Sequence, residues 1–436
     1  MIVKGVRKHM GRWKEIERIS APAIIPKYGP LTGMRVLMTG SIVAAPFASS
    51  ILAEYGAEVI HVERPNMGDP YRAQAPVIER GDKRVSAGWI QEGRNKLSLT
   101  LEINFKIPES KEIFLSLIKN CDVWVENMVW TEKLGITEKM LLEINPKLVI
   151  AHISGFGRPQ FGGVPSECDR PSYDPIGQAE GGYMYLNGFP EPSPPSHAAT
   201  FINDYLTAMF TVNGILMAYT HAQKTGQGQA IDIAQIEAMS KCLNDTFVQY
   251  FQLGKVRERK GNKVAIFQPG NVFKTKDEKY LNIGAFGAAV YYRFIKALDL
   301  DPKVYTYEAA GCSAEAINSE LGLELDRIAT EWVAAREAEE ALQHLLSLKV
   351  PSGIVRTSAD LAASEHYQKR GNFIEYKDET IGETVKAFGF CPKMSETPAQ
   401  VWRGAPILGQ DTDVILKTLL GYTPGEISSF REIGVI

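Results

Sequence analysis

The chain has no two cysteines close enough to form a CxxC motif. Its five, Cys121, Cys168, Cys242, Cys312 and Cys391, are scattered and odd in number. That excludes a dithiol redox motif, argues against a disulfide framework and fits a reducing cytoplasm, so all five are expected to be buried or incidental thiols. No His, Cys, Asp and Glu cluster has metal-ligand spacing, and no metal site is expected. No apolar run approaches the ~18–20 residues of a membrane span. The basic stretch 1–20 has neither an apolar h-region nor a small-residue cleavage site, so it is expected to be an N-terminal arm, with the body of the chain starting near residue 31. Excess charge of either sign is missing too. Lys and Arg total 48 against 51 Asp and Glu, a net charge of -3, which gives no reason to expect a nucleic-acid or membrane partner. Internal repeats and low-complexity tracts are absent, which excludes solenoids and arrays.

What remains is an ordinary globular composition, 44% hydrophobic and 23% charged over 436 residues, enough for two or three domain-sized units or one large unit with an insertion. MRVLMTG (34–40) reads as a short buried strand, PFASSILAEYG (46–56) as a helix opened by Pro and closed by Gly, and AEVIHVE (57–63) as a second strand. This βαβ opening makes a doubly wound α/β sheet the expected fold. The alternation continues through strands at 95–103, 122–128 and 147–157 and helices at 111–120 and 137–145. Ligands in such sheets bind at the carboxyl ends of the strands. Candidates there are Ser41–Ala45, Arg64, Asn127 and Ser154–Gly157.

A dinucleotide fold is the obvious competitor, since Glu63 closes the second strand where a ribose-binding acid would sit. The loop GSIVAAP (40–46) has one glycine where that fingerprint needs three, which counts against NAD.

Residues 158–200 are rich in Gly, Pro and Ser and precede HAATFINDYLTAMFTVNGILMAY (197–219), where a polar entry opens into a long apolar helix with Asp204 at the junction. A short strand (AIDIA, 230–234) and a helix over 235–252 follow, then a basic linker at 254–263. The texture then changes. FQPGNVFKTKDEKYLNIGAFG (267–287) reads as a hairpin and helical patterns occupy 289–298, 313–322 and 325–348. The expected domains are a large first part over 31–235, a linker helix over 236–263, a small α+β domain over 264–360 and a return to the large domain over 361–436.

Asp at a helix start has a plain structural explanation, because it is a favoured N-cap. His61 and His152 lie on apolar strands and are expected to be packed and hydrogen-bonded, and Cys168 has no paired His motif. The wider pattern says more. LTGMRVLMTGSIVAAP (31–46), GAEVIHVERPNMGDPYR (56–72), DVWVEN (122–127), NPKLVIAHISGFG (145–157), RPSYDPIGQAEGG (170–182), the Asp204 segment, KTGQGQAIDI (224–233) and RGAPILGQDTDVIL (403–416) occur in this order. Together they resemble the class III CoA-transferase family, which contains carnitine, bile-acid and formyl CoA-transferases, over about residues 28–436.

The resemblance implies a ring-shaped chain. Its Rossmann-like large domain is built from both chain ends, its smaller domain from the middle, and two chains interlock as a homodimer. It implies CoA transfer between an acyl-CoA and a free carboxylic acid, with coenzyme A as substrate and no tightly bound cofactor. Asp204 matches the nucleophile, which would form a mixed anhydride and then an aspartyl-CoA thioester. An ordinary Asp pKa of ~3.9 would keep it ionised, helped by the helix N-terminus. Ile42, Arg64, Leu101, Asn127, Lys133 and Tyr173 match CoA-contacting positions, and Val43 and Gln235 the substrate pocket. Formyl-transferring members carry Gln where Val43 stands and a very Gly-rich loop where this chain has FQPGN (267–271), so the carnitine and bile-acid branch is closer in look. Two rivals stay open. An α-methylacyl-CoA racemase shares the fold but places His where Tyr173 stands, and Tyr is a poor acid or base at pH 7. A CoA-binding protein without chemistry is the other.

Overall fold

Short, mostly apolar strands of four to six residues set the centre of the fold. The computed structural model describes residues 23–128 and 131–436, so most of the expected N-terminal arm lies outside the described residues. Six strands, β1 (Arg35–Met38), β2 (Glu58–Glu63), β3 (Lys96–Thr100), β4 (Val123–Glu126), β5 (Val149–Ser154) and β6 (Gln229–Ala234), form one sheet with every pairing parallel. The spatial order is β3-β2-β1-β4-β5-β6, that of a Rossmann sheet. Both faces are covered, which is why the strands read as near-continuous hydrophobic sequence. Successive residues of β1 serve opposite cores. Leu37 joins Ile60, Phe114 and Trp124 on one face, while Val36 and Met38 join Leu52, Val59 and Ile215 on the other.

The first face is covered by α2 (Pro108–Asn120) and by the chain's end, with Leu416, Leu419 and Phe430 in the same core. The second is covered by α1 (Ala44–Glu54) and α4 (Ile202–Thr225), meeting through small side chains such as Ala44, Ala53, Ala218 and Ala222. Two short helices, α3 (Asp174–Glu180) and α5 (Gln235–Ser240), flank the start of α4. The C-terminal segment is stitched to β3, where Asp411 accepts the Ser98 N–H at 2.8 Å and pairs with Arg403.

The chain divides into two units. One comprises Met1–Gly182, Ala199–Asn244 and Gly371–Ile436; the other comprises Tyr183–Ala198 and Asp245–Arg370. The second has its own α+β core. Strands β7 (Gly270–Lys274), β8 (Tyr280–Gly284) and β9 (Ser352–Ile354) form an antiparallel sheet with β8 central, and Phe273, Leu281 and Ile283 pack with Phe294, Leu325 and Leu345 of its helices.

These boundaries differ from those expected. The helix expected over 235–252 breaks into α5 and Thr246–Leu253, with Asn244 between them at φ 56. α5 stops at Ser240, and Asn, which tolerates the left-handed region, turns the chain just before Asp245, the N-cap of the next helix. There is accordingly no linker helix over 236–263: the second unit begins at Asp245, ends at Arg370 and also takes Tyr183–Ala198. Two hairpin ribbons escaped the sequence reading, Val77–Arg80 with Lys83–Ser86 and Phe373–Lys377 with Thr384–Phe388. Among the cysteines, Cys121 and Cys168 are buried, but Cys242, Cys312 and Cys391 are exposed. Among the described residues no helix is long and apolar enough to cross a membrane, and no group of His, Cys, Asp and Glu is placed to hold a metal ion.

Candidate active site

The strand order reverses between β1 and β4, and the chain leaving their carboxyl ends forms a crevice there. Asn127 ties the two exits together. Its Oδ1 accepts the Ser41 N–H at 2.8 Å and its Nδ2 donates to the Ser41 carbonyl at 3.0 Å. Next in line, Ile42 has φ 70, a left-handed conformation that a β-branched side chain rarely adopts. Asp69 holds it there by accepting the Ile42 N–H at 3.0 and 3.1 Å. Strain of this kind, on the order of 1–3 kcal/mol, persists where surrounding structure imposes it and clusters at binding sites.

A cavity of about 690 Å³ opens at this point, in the size range of small-molecule sites. Its wall contains Ile42, Val43, Asn127, Tyr173, Asp204 and Gln235 from the residues singled out above. Three others lie elsewhere. Leu101 is buried in the apolar core, Arg64 is exposed with Nε 3.4 Å from Glu102, and Lys133 is exposed outside the cavity wall.

Asp204 is not the N-cap of α4. Phe201 occupies that position without a capping side chain, and Asp204 is the third residue of the helix, 8% exposed. The missing cap comes from α3. Asp174 Oδ1 accepts the N–H groups of Asn203 (2.7 Å) and Asp204 (3.2 Å), and its Oδ2 accepts from Gln178 at 2.6 Å. The two helices approach closely because Gly177 lacks a side chain: a Cβ there would stand 1.8 Å from Asn203 Nδ2.

The Asp204 carboxylate itself accepts a hydrogen bond from Gln235 Nε2 at 2.5 Å, and the Ser172 hydroxyl donates to Gln235 Oε1 at 2.7 Å. Burial, and then the nearby Asp174 carboxylate, push the Asp204 pKa up to about 7, against the opposing pull of Gln235. This corrects the expectation of an ordinary acid kept charged by the helix N-terminus. Desolvation and a like charge outweigh the helix dipole, because Asp174 has already taken the free N–H groups that would have favoured the anion.

Next to Asp204 on α4, Tyr205 donates to Glu92 at 2.9 Å, and burial raises the Glu92 pKa. Elsewhere in the cavity wall, Arg158 Nη2 binds Glu126 at 2.6 Å and Nη1 binds Glu132 at 3.0 Å. His152 bonds Glu126 and lies 3.2 Å from Glu138; burial opposes its charged form, but these two acids prevail and raise its pKa. The ring is packed and paired, as expected for a strand histidine. His61 is equally buried, with Nε2 3.6 Å from Asp69 and Nδ1 lacking a protein partner. Glu63, the candidate ribose acid, accepts from Arg72, Ser98 and the Asp69 N–H at 2.7–2.9 Å and has no oxygen left for a ribose.

Among the residues the sequence reading missed, Asp174 and Ser172 matter most. Both stand inside RPSYDPIGQAEGG, beside Tyr173, so the segment was found but not their roles.

The model of CoA-transferase family III matches residues 31–412. The chain belongs to that family. The bile acid CoA-transferase BaiK of Clostridium scindens is 34% identical over 94% of this chain and 90% of its own. The succinyl-CoA–L-malate CoA-transferase beta subunit of Chloroflexus aurantiacus is 32% identical over 93% and 98%. The L-carnitine CoA-transferase of Proteus mirabilis is 32% identical over 94% and 97%. Among solved structures, a CAIB/BAIF family protein from Brucella suis superposes with a TM-score of 0.76 at 27% identity, covering 90% of this chain and all of that one. The chain is therefore an enzyme, a family III CoA-transferase, of a family that uses CoA thioesters as substrates, and the crevice just described is its candidate active site.

Proposed function

We propose that this family III CoA-transferase moves CoA through covalent intermediates on Asp204. The observation that carries the reading is a buried carboxylate in the wall of the switch-point cavity, oriented by one donor and set apart from bulk water. In its ionised form one Asp204 oxygen attacks the thioester carbonyl of an acyl-CoA. The C–S bond breaks, CoA leaves as thiolate, and a mixed anhydride remains. The thiolate attacks Asp204 Cγ, the donor acid departs with the attacking oxygen, and an aspartyl-CoA thioester forms. An acceptor carboxylate then runs the two steps in reverse. No net proton transfer is needed, and the buried site protects both intermediates from hydrolysis.

Asn127, Ile42 and Tyr173, together in the cavity wall, are proposed to contact CoA. For Arg64, Lys133 and Leu101 the support is the family resemblance alone, and Val43 is proposed to face the acyl group. A carnitine-type acid is proposed first from the family resemblance, with a bile or aryl acid next, and relatives named for carnitine, bile acid and malate support a carboxylic-acid substrate. A ring-shaped chain in an interlocked homodimer follows the same resemblance, and a cytoplasmic location suits five cysteines of which none forms a disulfide. No observation favours racemase chemistry, since the position it needs for His holds Tyr173.

Hydroxylamine trapping tests the mechanism. The protein is incubated with a panel of acyl-CoAs without acceptor, hydroxylamine is added, and the peptide holding Asp204 is read by mass spectrometry. A hydroxamate on Asp204 that depends on one acyl-CoA is the expected result. CoA binding with no modification from any acyl-CoA would remove Asp204 as nucleophile.

A further inference from the structure

The short chain Ser172–Gln235–Asp204 has a geometry that capping and packing do not require. Gln235 is the first residue of α5, directly after β6, and is 6% exposed. Its carboxamide spans two fixed partners, the Ser172 hydroxyl at 2.7 Å and Asp204 Oδ1 at 2.5 Å. Because Oε1 is taken by the hydroxyl donor, Nε2 is the group turned toward Asp204. Ser172 is itself confined: a Cβ on Gly155, at the exit of β5, would stand 2.2 Å from the Ser172 Cβ.

We propose that Gln235 is a catalytic hydrogen-bond donor to Asp204 Oδ1 and that Ser172 is the positioning residue that fixes its orientation. This rests on the aspartyl chemistry proposed above. With Oδ1 engaged, Oδ2 is the oxygen that attacks the thioester and becomes the bridging atom of the anhydride. Oδ1 is then the carbonyl oxygen of the anhydride and of the aspartyl-CoA thioester. When the CoA thiolate attacks Cγ, the π pair of Cγ–Oδ1 moves onto Oδ1; it returns as the Cγ–Oδ2 bond breaks and the donor acid leaves. Attack by the acceptor carboxylate on the thioester places charge on the same atom, and the Cγ–S bond breaks. Gln235 Nε2 is already aimed at the oxygen where charge develops in both steps, which is the arrangement of an oxyanion-stabilising donor. In the resting enzyme the same bond favours the ionised nucleophile against burial and Asp174.

The test compares the wild type with Gln235→Leu, Ser172→Ala and Ser172→Thr. Each is mixed with the acyl-CoA panel, succinyl-CoA first, without acceptor, and CoA attached to Asp204 is followed in time by intact-protein mass. The pH profile of kcat/KM for overall transfer is measured alongside. Loss of one oxyanion donor costs about 100- to 1,000-fold. Gln235→Leu is expected to slow formation of the CoA adduct by that order and to move the acid limb of the profile to higher pH. Ser172→Ala should shift both in the same direction by less, and Ser172→Thr should restore near wild-type behaviour. An adduct rate within threefold of wild type in Gln235→Leu, or a slower rate with an unmoved acid limb, overturns the proposal and leaves a packing role. If Gln235→Leu does not fold, Ser172→Ala and its Thr rescue decide, and unchanged rate and limb in Ser172→Ala overturn it. A wild type that forms no CoA adduct with any acyl-CoA overturns the aspartyl mechanism together with this inference, and so is distinct from failure of the Gln235 role alone.

Discussion

At the scale of the residue, Asp204 is held against its own stability. Its pKa rises from 3.8 to about 7 on folding, first by desolvation and then by Asp174. Below pH 4 the group is neutral in both folded and unfolded chains. Between pH 4 and 7 the folded chain keeps a proton that the unfolded chain has released, and above 7 the folded chain carries a buried charge. Its contribution to stability is therefore full at low pH and lost as pH climbs through about 7. Three pKa units correspond to roughly 4 kcal/mol as an upper figure. Asp204→Asn keeps an acceptor for Gln235 and removes the charge. It should gain up to a few kcal/mol over wild type in chemical denaturation at pH 8, progressively less as pH falls, and little at pH 4, while transfer is abolished. The same shift fixes the activity profile. The nucleophile is the ionised form, so log(kcat/KM) is expected to fall with unit slope below about pH 7 and to level off above it. A flat profile from pH 5 to 8 would mean that Asp204 titrates as an ordinary acid in the free enzyme.

At the scale of the element, the start of α4 depends on a neighbour rather than on its own sequence. Asp174 supplies the acceptor that Phe201 cannot, and it does so from a position 29 and 30 residues earlier. Asp174→Ala should destabilise the fold by ~1 kcal/mol, the usual scale of a lost N-terminal acceptor. By removing a like charge it should also move the acid limb of kcat/KM to lower pH. Asp174→Asn, which retains an acceptor, should recover most of the stability but keep the shifted limb. Urea titration and the pH profile separate the two effects.

This cap shows where reading the sequence ran out. Strand β1 and helix α1 were legible because burial on both faces leaves only apolar residues and a Pro-to-Gly frame, and local composition carries that signal. The exit residues Asn127 and Ile42 followed from the strand ends. A carboxylate that caps a helix from another element leaves no periodic trace, and capping motifs are sought within a few residues of the helix they serve. Arg64, Leu101 and Lys133 were placed by resemblance and lie outside the cavity wall, while Asp204 and Gln235, placed in the same way, are hydrogen-bonded to each other.

At the scale of the whole molecule, the segment Thr246–Leu253 has no buried residue although five of its eight are apolar or aromatic. Phe247, Val248, Tyr250, Phe251 and Leu253 are 47%, 63%, 53%, 74% and 64% exposed, and Val256 beyond them 58%. A helix at the surface of a monomer normally buries one stripe and wets the other, and contiguous apolar exposure of this kind marks an interaction surface. The homodimer proposed from the family gives the surface an occupant. By sedimentation equilibrium the wild type should have about twice its chain mass of 48.3 kDa. The double variant Val248→Asp, Phe251→Asp removes apolar surface and sets two like charges on a face that would be desolvated on pairing, so it should shift toward the single-chain mass. Both changed side chains point into solvent in the isolated chain, so the helical signal in circular dichroism should be unchanged. A wild type that sediments as one chain would contradict the homodimer. A double variant that keeps the dimer mass would place the pairing surface elsewhere and leave this helix needing another partner.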